Sequence, residues 1–397
     1  VRIIVAPDSF KGSLSAVEVA NAIAKGILAV FDAAEIYKVP IADGGEGTVD
    51  ALVTATLGRT LKEEVKGPLG DNVAACWGIL GDTKTAVIEM AAASGITLLP
   101  EEKRNPLQAT TYGTGQLIKA ALDQGLRDVI IGIGGSATND GGVGMAKALG
   151  VKFLDASNRE LPDGGAALQD LARIDVTGLD KRLTEANIMV ACDVNNPLCG
   201  PKGASAVYGP QKGATPLMVK TLDRALSHYA EIAAQTFGKD ISRYAGAGAA
   251  GGLGAGLLLF TSAILRPGVD IVLEAVRFEE KVQQADLVIT GEGNTDFQTA
   301  YGKAPVGIAK IAKKYHVPVI CLSGGLGEGC EKVLQCGIDG LMSIVPRPMI
   351  LDDCIIHAAQ LTEASAARLC RLLAVGKLLQ EKSTIVNGTG FSTHRCH

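Results

Sequence analysis

The chain has 397 residues, 47% hydrophobic but only 4% aromatic, with 49 glycines and a formal net charge of −4. That length provides for about two domains of roughly 100–200 residues each, with aliphatic cores. No basic block or aromatic-spaced Lys/Arg stripe accompanies the slight acidity, so nothing points to nucleic acid as a partner.

In chain order, "RIIVAPD" is a short apolar run ending in an acid and reads as a strand. "SLSAVEVANAIAKGILAVF" then sets Ser15 and Glu18 at capping-box spacing before apolar positions Ala16, Ala20, Ile23, Ile27 and Val30, which predicts an amphipathic helix. "AACWGIL", with Cys76 and Trp77, reads as a core strand, and "DVII" as another. Residues 245–265 carry no charge over a length that could span a bilayer. Their first half is almost all Gly and Ala, which gain little from lipid, so a buried Gly-rich turn leading into a helix is expected instead. The last third alternates "ADLVITGEG", "APVGIAKIAKKYH", "VPVICLSGG" and "DGLMSIV", the strand–helix alternation of a parallel sheet. The expected fold is α/β: a doubly wound parallel-sheet domain formed by both chain ends, 1–65 and 286–380, with a second α/β domain, 66–285, inserted between them. Residues 381–397 lose the pattern and read as a tail outside the fold. The nine scattered cysteines contain no C-x-x-C pair and the N-terminal apolar run is too short for a signal peptide, so a cytoplasmic protein with reduced thiols is expected.

Five glycine- and acid-rich loops follow apolar runs. They are "APDSFKGS" with Asp8, Ser9 and Lys11; "PIADGGEGT" with Asp43, Gly44, Gly45 and Glu46; "GIGGSATNDGG" from Gly132 to Gly142; "ACDVNNPLCGPKGA" with Asp193 and Asn196; and "TGEGNTDFQTAYGKAP" with Glu292, Asp296 and Lys303. Any one alone reads as a turn or helix cap. The third satisfies G-x-G-x-x-A, and Asp155 lies near the distance at which a dinucleotide site wants an acid. Against a nicotinamide site stands the density of Ser, Thr, Asn and Asp after the glycines, which suits a phosphate or a magnesium ion.

Phosphoryl transfer accounts for the whole set. Lysine and magnesium neutralise the spreading charge, carboxylates hold the metal, and an Asp takes the proton of the accepting hydroxyl. No G-x-x-x-x-G-K-[ST], H-R-D or D-F-G occurs, so neither a P-loop enzyme nor a protein kinase is indicated.

Together with "DVTGLD" and "YGPQKGA", these loops resemble, in order from residue 2 to about 375, the bacterial glycerate kinase family that is unrelated to the P-loop glycerate kinases. The resemblance implies ATP-dependent phosphorylation of a hydroxyl of D-glycerate, 2-phosphoglycerate more than 3-phosphoglycerate, with Mg2+ assisting. It also implies a Rossmann-like domain and an inserted domain with the active site in their cleft. The pattern departs at Asn294, where related sequences frequently carry arginine.

Within that reading Asp193 is the first choice of base and Asp8 the second, since both directly follow apolar runs, with helix capping as the alternative for each. Lys11 and the glycine amides of "DGGEG" suit the glycerate carboxylate, with Ser9, Asp43, Gly44, Gly45, Glu46 and Asn196 as substrate contacts. Gly134, Gly135, Ser136, Thr138, Asn139, Asp140 and Lys303 are expected at the nucleotide phosphates, and Glu292 and Asp296 at magnesium. The partners expected are small molecules, D-glycerate and ATP, with no nucleic acid and no membrane; the chain is a monomer or homodimer. The rivals are an NAD-dependent hydroxy-acid dehydrogenase, which needs a catalytic His or Lys near the substrate, and a non-catalytic sugar-acid binding protein. None of the five histidines lies in these loops.

Overall fold

The structure, a computed structural model, describes residues 1–388. The chain forms two compact units, one from Val1–Pro40 together with the residues from Glu279 onward, the other Ile41–Phe278.

The chain opens with β1 (Arg2–Pro7), a helix at Ala16–Leu28 and β2 (Glu35–Lys38). The Ser15 hydroxyl accepts from the Glu18 N–H at 3.2 Å while the Glu18 carboxylate accepts from the Ser15 N–H at 2.8 Å, so the capping box starts the helix where the sequence places it.

The second unit begins with a helix at Thr48–Thr56 and contains β3 (Arg59–Lys66), β4 (Asn72–Ile79), β5 (Thr85–Glu89), β6 (Asp128–Gly132), β7 (Lys152–Leu154), β8 (Arg173–Asp175), β9 (Asn187–Ala191) and β10 (Ile264–Arg266). Its main sheet has the order β10-β9-β6-β5-β4-β3, parallel from β10 to β5 and antiparallel from β5 to β3. Trp77, Phe153 and Tyr229 are the large side chains of its core.

The first unit resumes with β11 (Leu287–Gly291), β12 (Asn294–Thr295), a helix at Ala304–Lys314, β13 (Val319–Ser323), β14 (Gly325–Leu326), β15 (Gly340–Ser343) and a helix at Ala358–Gly388. All pairs of the sheet β15-β13-β11-β1-β2 are parallel, with Ile3 beside Leu287 and Val5 beside Ile289. The order reverses between β1 and β11, and in an open parallel sheet ligands bind at the carboxyl ends of strands at such a reversal.

The structure shifts the expected boundaries. Residues 41–65 belong with the second unit, in which β3 pairs along its whole length with β4, from Arg59 opposite Ile79 to Lys66 opposite Asn72. Glu279 belongs with the first, where its carboxylate accepts from the Tyr315 hydroxyl at 2.9 Å. Of the expected tail, 381–388 continue the final helix and 389–397 lie outside the described residues.

The uncharged stretch at 245–265 forms the helix Ala249–Phe260, entered through left-handed backbone at Ala250, Gly251 and Gly252. Among the described residues no helix is long and apolar enough to cross a membrane. Its glycines instead allow backbone to lie on backbone: a Cβ on Gly252 would come within 2.7 Å of the Gly141 Cα, and one on Gly256 within 2.8 Å of the Gly142 Cα.

Candidate active site

In the second unit three loops at carboxyl ends of parallel strands converge, following β5, β6 and β9. The Asp43–Gly47 loop lies across them. A Cβ on Gly132 would overlap the Gly44 carbonyl oxygen, and one on Gly44 would overlap the Cβ of Ala191. The Gly134 N–H points to the Gly44 oxygen at 3.4 Å. Gly44 and Gly47 have φ of +91° and +88°, values that favour glycine.

Asp193 stands just past β9. One carboxylate oxygen accepts from the Gly268 N–H at 3.0 Å, and the Gly268 Cα presses on the Asp43 carbonyl, where no side chain could fit. Partial burial raises the Asp193 carboxyl above its usual range, and the charges of Asp43 and Asp270 push in the same direction. A carboxylate in such a setting is the basic end of its type. Asp43 itself accepts from the Gly45 N–H at 3.0 Å and Glu46 is exposed. Asn196 is turned into its own loop, its amide donating to the Lys202 carbonyl at 2.8 Å and accepting from the Tyr208 hydroxyl at 2.6 Å.

In the "GIGGSATNDGG" loop only Gly134 and Gly135 are exposed; Ser136, Thr138, Asn139 and Asp140 are buried. Asp140 accepts from the Thr111 N–H and hydroxyl, both at 2.8 Å, and from the N–H groups of Gly142 and Gly144 at 3.1 Å, while burial raises its carboxyl. The Asn139 amide donates to the Ser205 hydroxyl at 2.9 Å. These two side chains therefore brace the loop from within, a placement that glycine-rich sequence alone does not distinguish from a ligand.

Two residues given no role by sequence reasoning support these loops. The Glu89 carboxylate, at the end of β5, accepts from the Val49 N–H at 2.7 Å and so caps the helix that follows the Asp43–Gly47 loop; burial raises its pKa. Its signal is the one that marked Asp193, an acid directly after an apolar run. Lys212, inside the quoted "YGPQKGA", is 1% exposed and donates to the Ser136 hydroxyl at 2.6 Å and the Thr138 carbonyl at 2.7 Å.

In the first unit the loops after β1 and β11 flank the point where strand order reverses. The Asp8 N–H donates to the Gly291 carbonyl at 2.8 Å, the Ser9 N–H to the Asp8 carboxylate at 2.6 Å, and Lys11 is exposed. Glu292 is buried. One of its oxygens accepts from the Thr299 hydroxyl at 2.6 Å and the Thr295 hydroxyl at 3.2 Å, the other lies 3.7 Å from the Lys303 ammonium. Burial raises its pKa more than Lys303 lowers it. Asp296 accepts from the Gln298 N–H at 2.8 Å and lies 3.4 Å from the amide of the exposed Asn294. Among the described residues no cluster of three or more His, Cys, Asp or Glu could hold a metal alone.

A family model described as the glycerate kinase family matches residues 3–374. The glycerate kinase of Bacillus subtilis (strain 168) is 56% identical over 379 residues, 96% of this chain and 99% of its own. The glycerate 2-kinase of Escherichia coli (strain K12) is 50% identical over 376 residues, 95% of this chain and 99% of its own. A crystal structure from Salmonella typhimurium LT2, assigned as glycerate kinase 2, is similar with a TM-score of 0.87 and 49% identity, covering 95% of this chain and 99% of that one. The matched span takes in every loop described above, and on that ground the chain belongs to the glycerate kinase family.

Proposed function

We propose that the chain is an ATP-dependent glycerate kinase that phosphorylates the 2-hydroxyl of D-glycerate. The observation that carries this reading is the setting of Asp193: a carboxylate raised by burial and by neighbouring acids, beside glycine loops whose exposed backbone suits an anion. The Escherichia coli relative, named glycerate 2-kinase, supports the choice of hydroxyl.

Asp193 takes the proton of the accepting hydroxyl as its oxygen attacks the γ-phosphorus, and ADP leaves. Gly44, Gly45 and Asp43 set the floor on which the acceptor is oriented, with Asp8 and Ser9 as further contacts. Lys11 and Lys303 offset the charge of the phosphoryl group, and the Gly134–Ser136 amides receive phosphate oxygens. Thr138, Asn139 and Asp140 act on the nucleotide through the shape of the loop, as their burial supports.

Magnesium, where phosphates supply part of its shell, needs only one or two carboxylates from the protein. Asp296 fits that need, being half-buried with one oxygen on the Gln298 N–H. Glu292 fits poorly, because its oxygens are committed to two threonine hydroxyls and to Lys303. When bound, the metal would supply charge neutralisation at the phosphates. The reaction is placed in the cytoplasm, in keeping with eight described cysteines that are all free thiols.

A dehydrogenase reading loses its main support in the geometry after Gly132. A dinucleotide fingerprint opens directly into a helix, whereas here an irregular stretch runs to Gly142 before a six-residue helix, Val143–Ala148. The test is ADP release with ATP and magnesium in the presence of D-glycerate, L-glycerate or no acceptor, with NMR of the product to locate the phosphate. Release that does not depend on D-glycerate refutes the proposal.

A further inference from the structure

Lys212, in the short turn Pro210–Lys212, carries its ammonium into a site from which solvent is excluded. Taking such a charge out of water is costly, and most buried ammonium groups are offset by a carboxylate in contact. Here the two oxygens within hydrogen-bond distance, the Ser136 hydroxyl and the Thr138 carbonyl, are neutral. The anion that acts on Lys212 is Asp140, whose own oxygens already accept from Thr111, Gly142 and Gly144. Burial correspondingly pushes the ammonium down to about 7.

The surrounding loop is held on its inner side. The Gly135 carbonyl accepts from the Ile96 N–H at 2.8 Å, and the Ala137 N–H donates to the Ser94 carbonyl at 2.9 Å. Lys212 ties down Ser136 and Thr138, which alternate with them. On the outer side, the N–H groups of Gly135 and Ser136 make no hydrogen bond among the described residues. Consecutive N–H groups of this kind, backed by a buried positive charge, form an anion cradle.

We propose that Lys212 is a positioning residue for phosphate recognition: it fixes Ser136 and Thr138 so that the Gly135 and Ser136 amides meet phosphate oxygens of the nucleotide, and it places a positive charge behind them. The proposal rests on the kinase reading for the identity of the anion. A lysine without a carboxylate in contact makes sense if the missing negative charge arrives with the substrate.

The test compares wild-type protein with Lys212→Met, which keeps volume and removes charge, and Lys212→Gln, which keeps a donor. Thermal unfolding establishes that each variant folds; ATP affinity is read by calorimetry without acceptor, and kcat and KM with D-glycerate. The expected result is at least tenfold weaker ATP binding in Lys212→Met, with KM for ATP raised more than KM for D-glycerate, and partial recovery in Lys212→Gln. ATP affinity within twofold of wild type in either folded variant overturns the proposal, and so does an equal rise in both KM values. Because binding is read without turnover, a wild-type protein that binds ATP but shows no D-glycerate-dependent ADP release would sink the kinase reading alone.

Discussion

Replacing Gly44 by alanine separates two costs that the Asp43–Gly47 loop imposes. At φ of +91° an alanine suffers the left-handed penalty, about 1–2 kcal/mol, and its Cβ overlaps the Ala191 Cβ, which is fixed at the end of a central strand. Overpacking of this sort costs about 1–3 kcal/mol more. Gly47, at +88°, has nothing within 4 Å of an added Cβ, so Gly47→Ala carries the conformational cost alone. Gly45→Ala meets only the Asp43 carboxylate at 3.1 Å and serves as the mild control. Trp77 is the sole tryptophan and is fully buried in the same unit, so its fluorescence in urea reports on that unit. Gly44→Ala is expected to lose about 2–5 kcal/mol and Gly47→Ala about 1–2, a gap of several degrees in Tm at roughly 2–4 °C per kcal/mol for a unit of this size. Equal losses in the two variants would refute the close approach of the loop to β9, and with it the convergence on which the candidate site rests.

Asp193→Asn should lower kcat by about 100-fold or more with unchanged circular dichroism, because the amide oxygen still accepts the Gly268 N–H. Since burial raises the Asp193 carboxyl, activity should fall on acidification at a pH above the usual carboxylate range, and rate profiles of Asp193→Asn should lack that limb. The Lys212 ammonium, at 10.5 when unfolded and about 7 when folded, makes stability decline as pH falls from 10.5 towards 7 and level off below. Urea midpoints of wild type and Lys212→Met at pH 7 and 9 should differ more at pH 7. Glu292 is raised in the fold, so it costs stability as pH rises from 4.5 through its folded value; Glu292→Gln, compared by thermal melts at pH 4 and 8, should gain on wild type at pH 8.

Local signals in the sequence carried the capping box at Ser15, the strand–helix alternation of the last third and the pairing of both chain ends in one sheet. The boundary at 65 went astray because β3 and β4 form an antiparallel edge on a mostly parallel sheet. The turn Gly67-Pro68-Leu69-Gly70 between two alternating runs was its legible mark. The loops of the site were visible as glycine and acid, but not which acids face inward. Asp140 and Asp193 look alike in sequence; one is buried among four hydrogen bonds, the other stands at a strand end. Lys212 was hidden for the same reason, since burial of a lysine is decided by partners 76 and 74 residues away.

The pairing of β1 with β11 also sets a clock for synthesis. Thr290 donates to the Ala6 carbonyl across 284 residues of chain. At roughly 5–20 residues per second, a ribosome needs about 15–60 s to deliver that partner after β1 has emerged. Throughout that interval Ile3, Ile4 and Val5 lack the strand that finally covers their β11 side. The whole Ile41–Phe278 unit is synthesised before then, so during that interval β1 is the strand that waits longest for its partner.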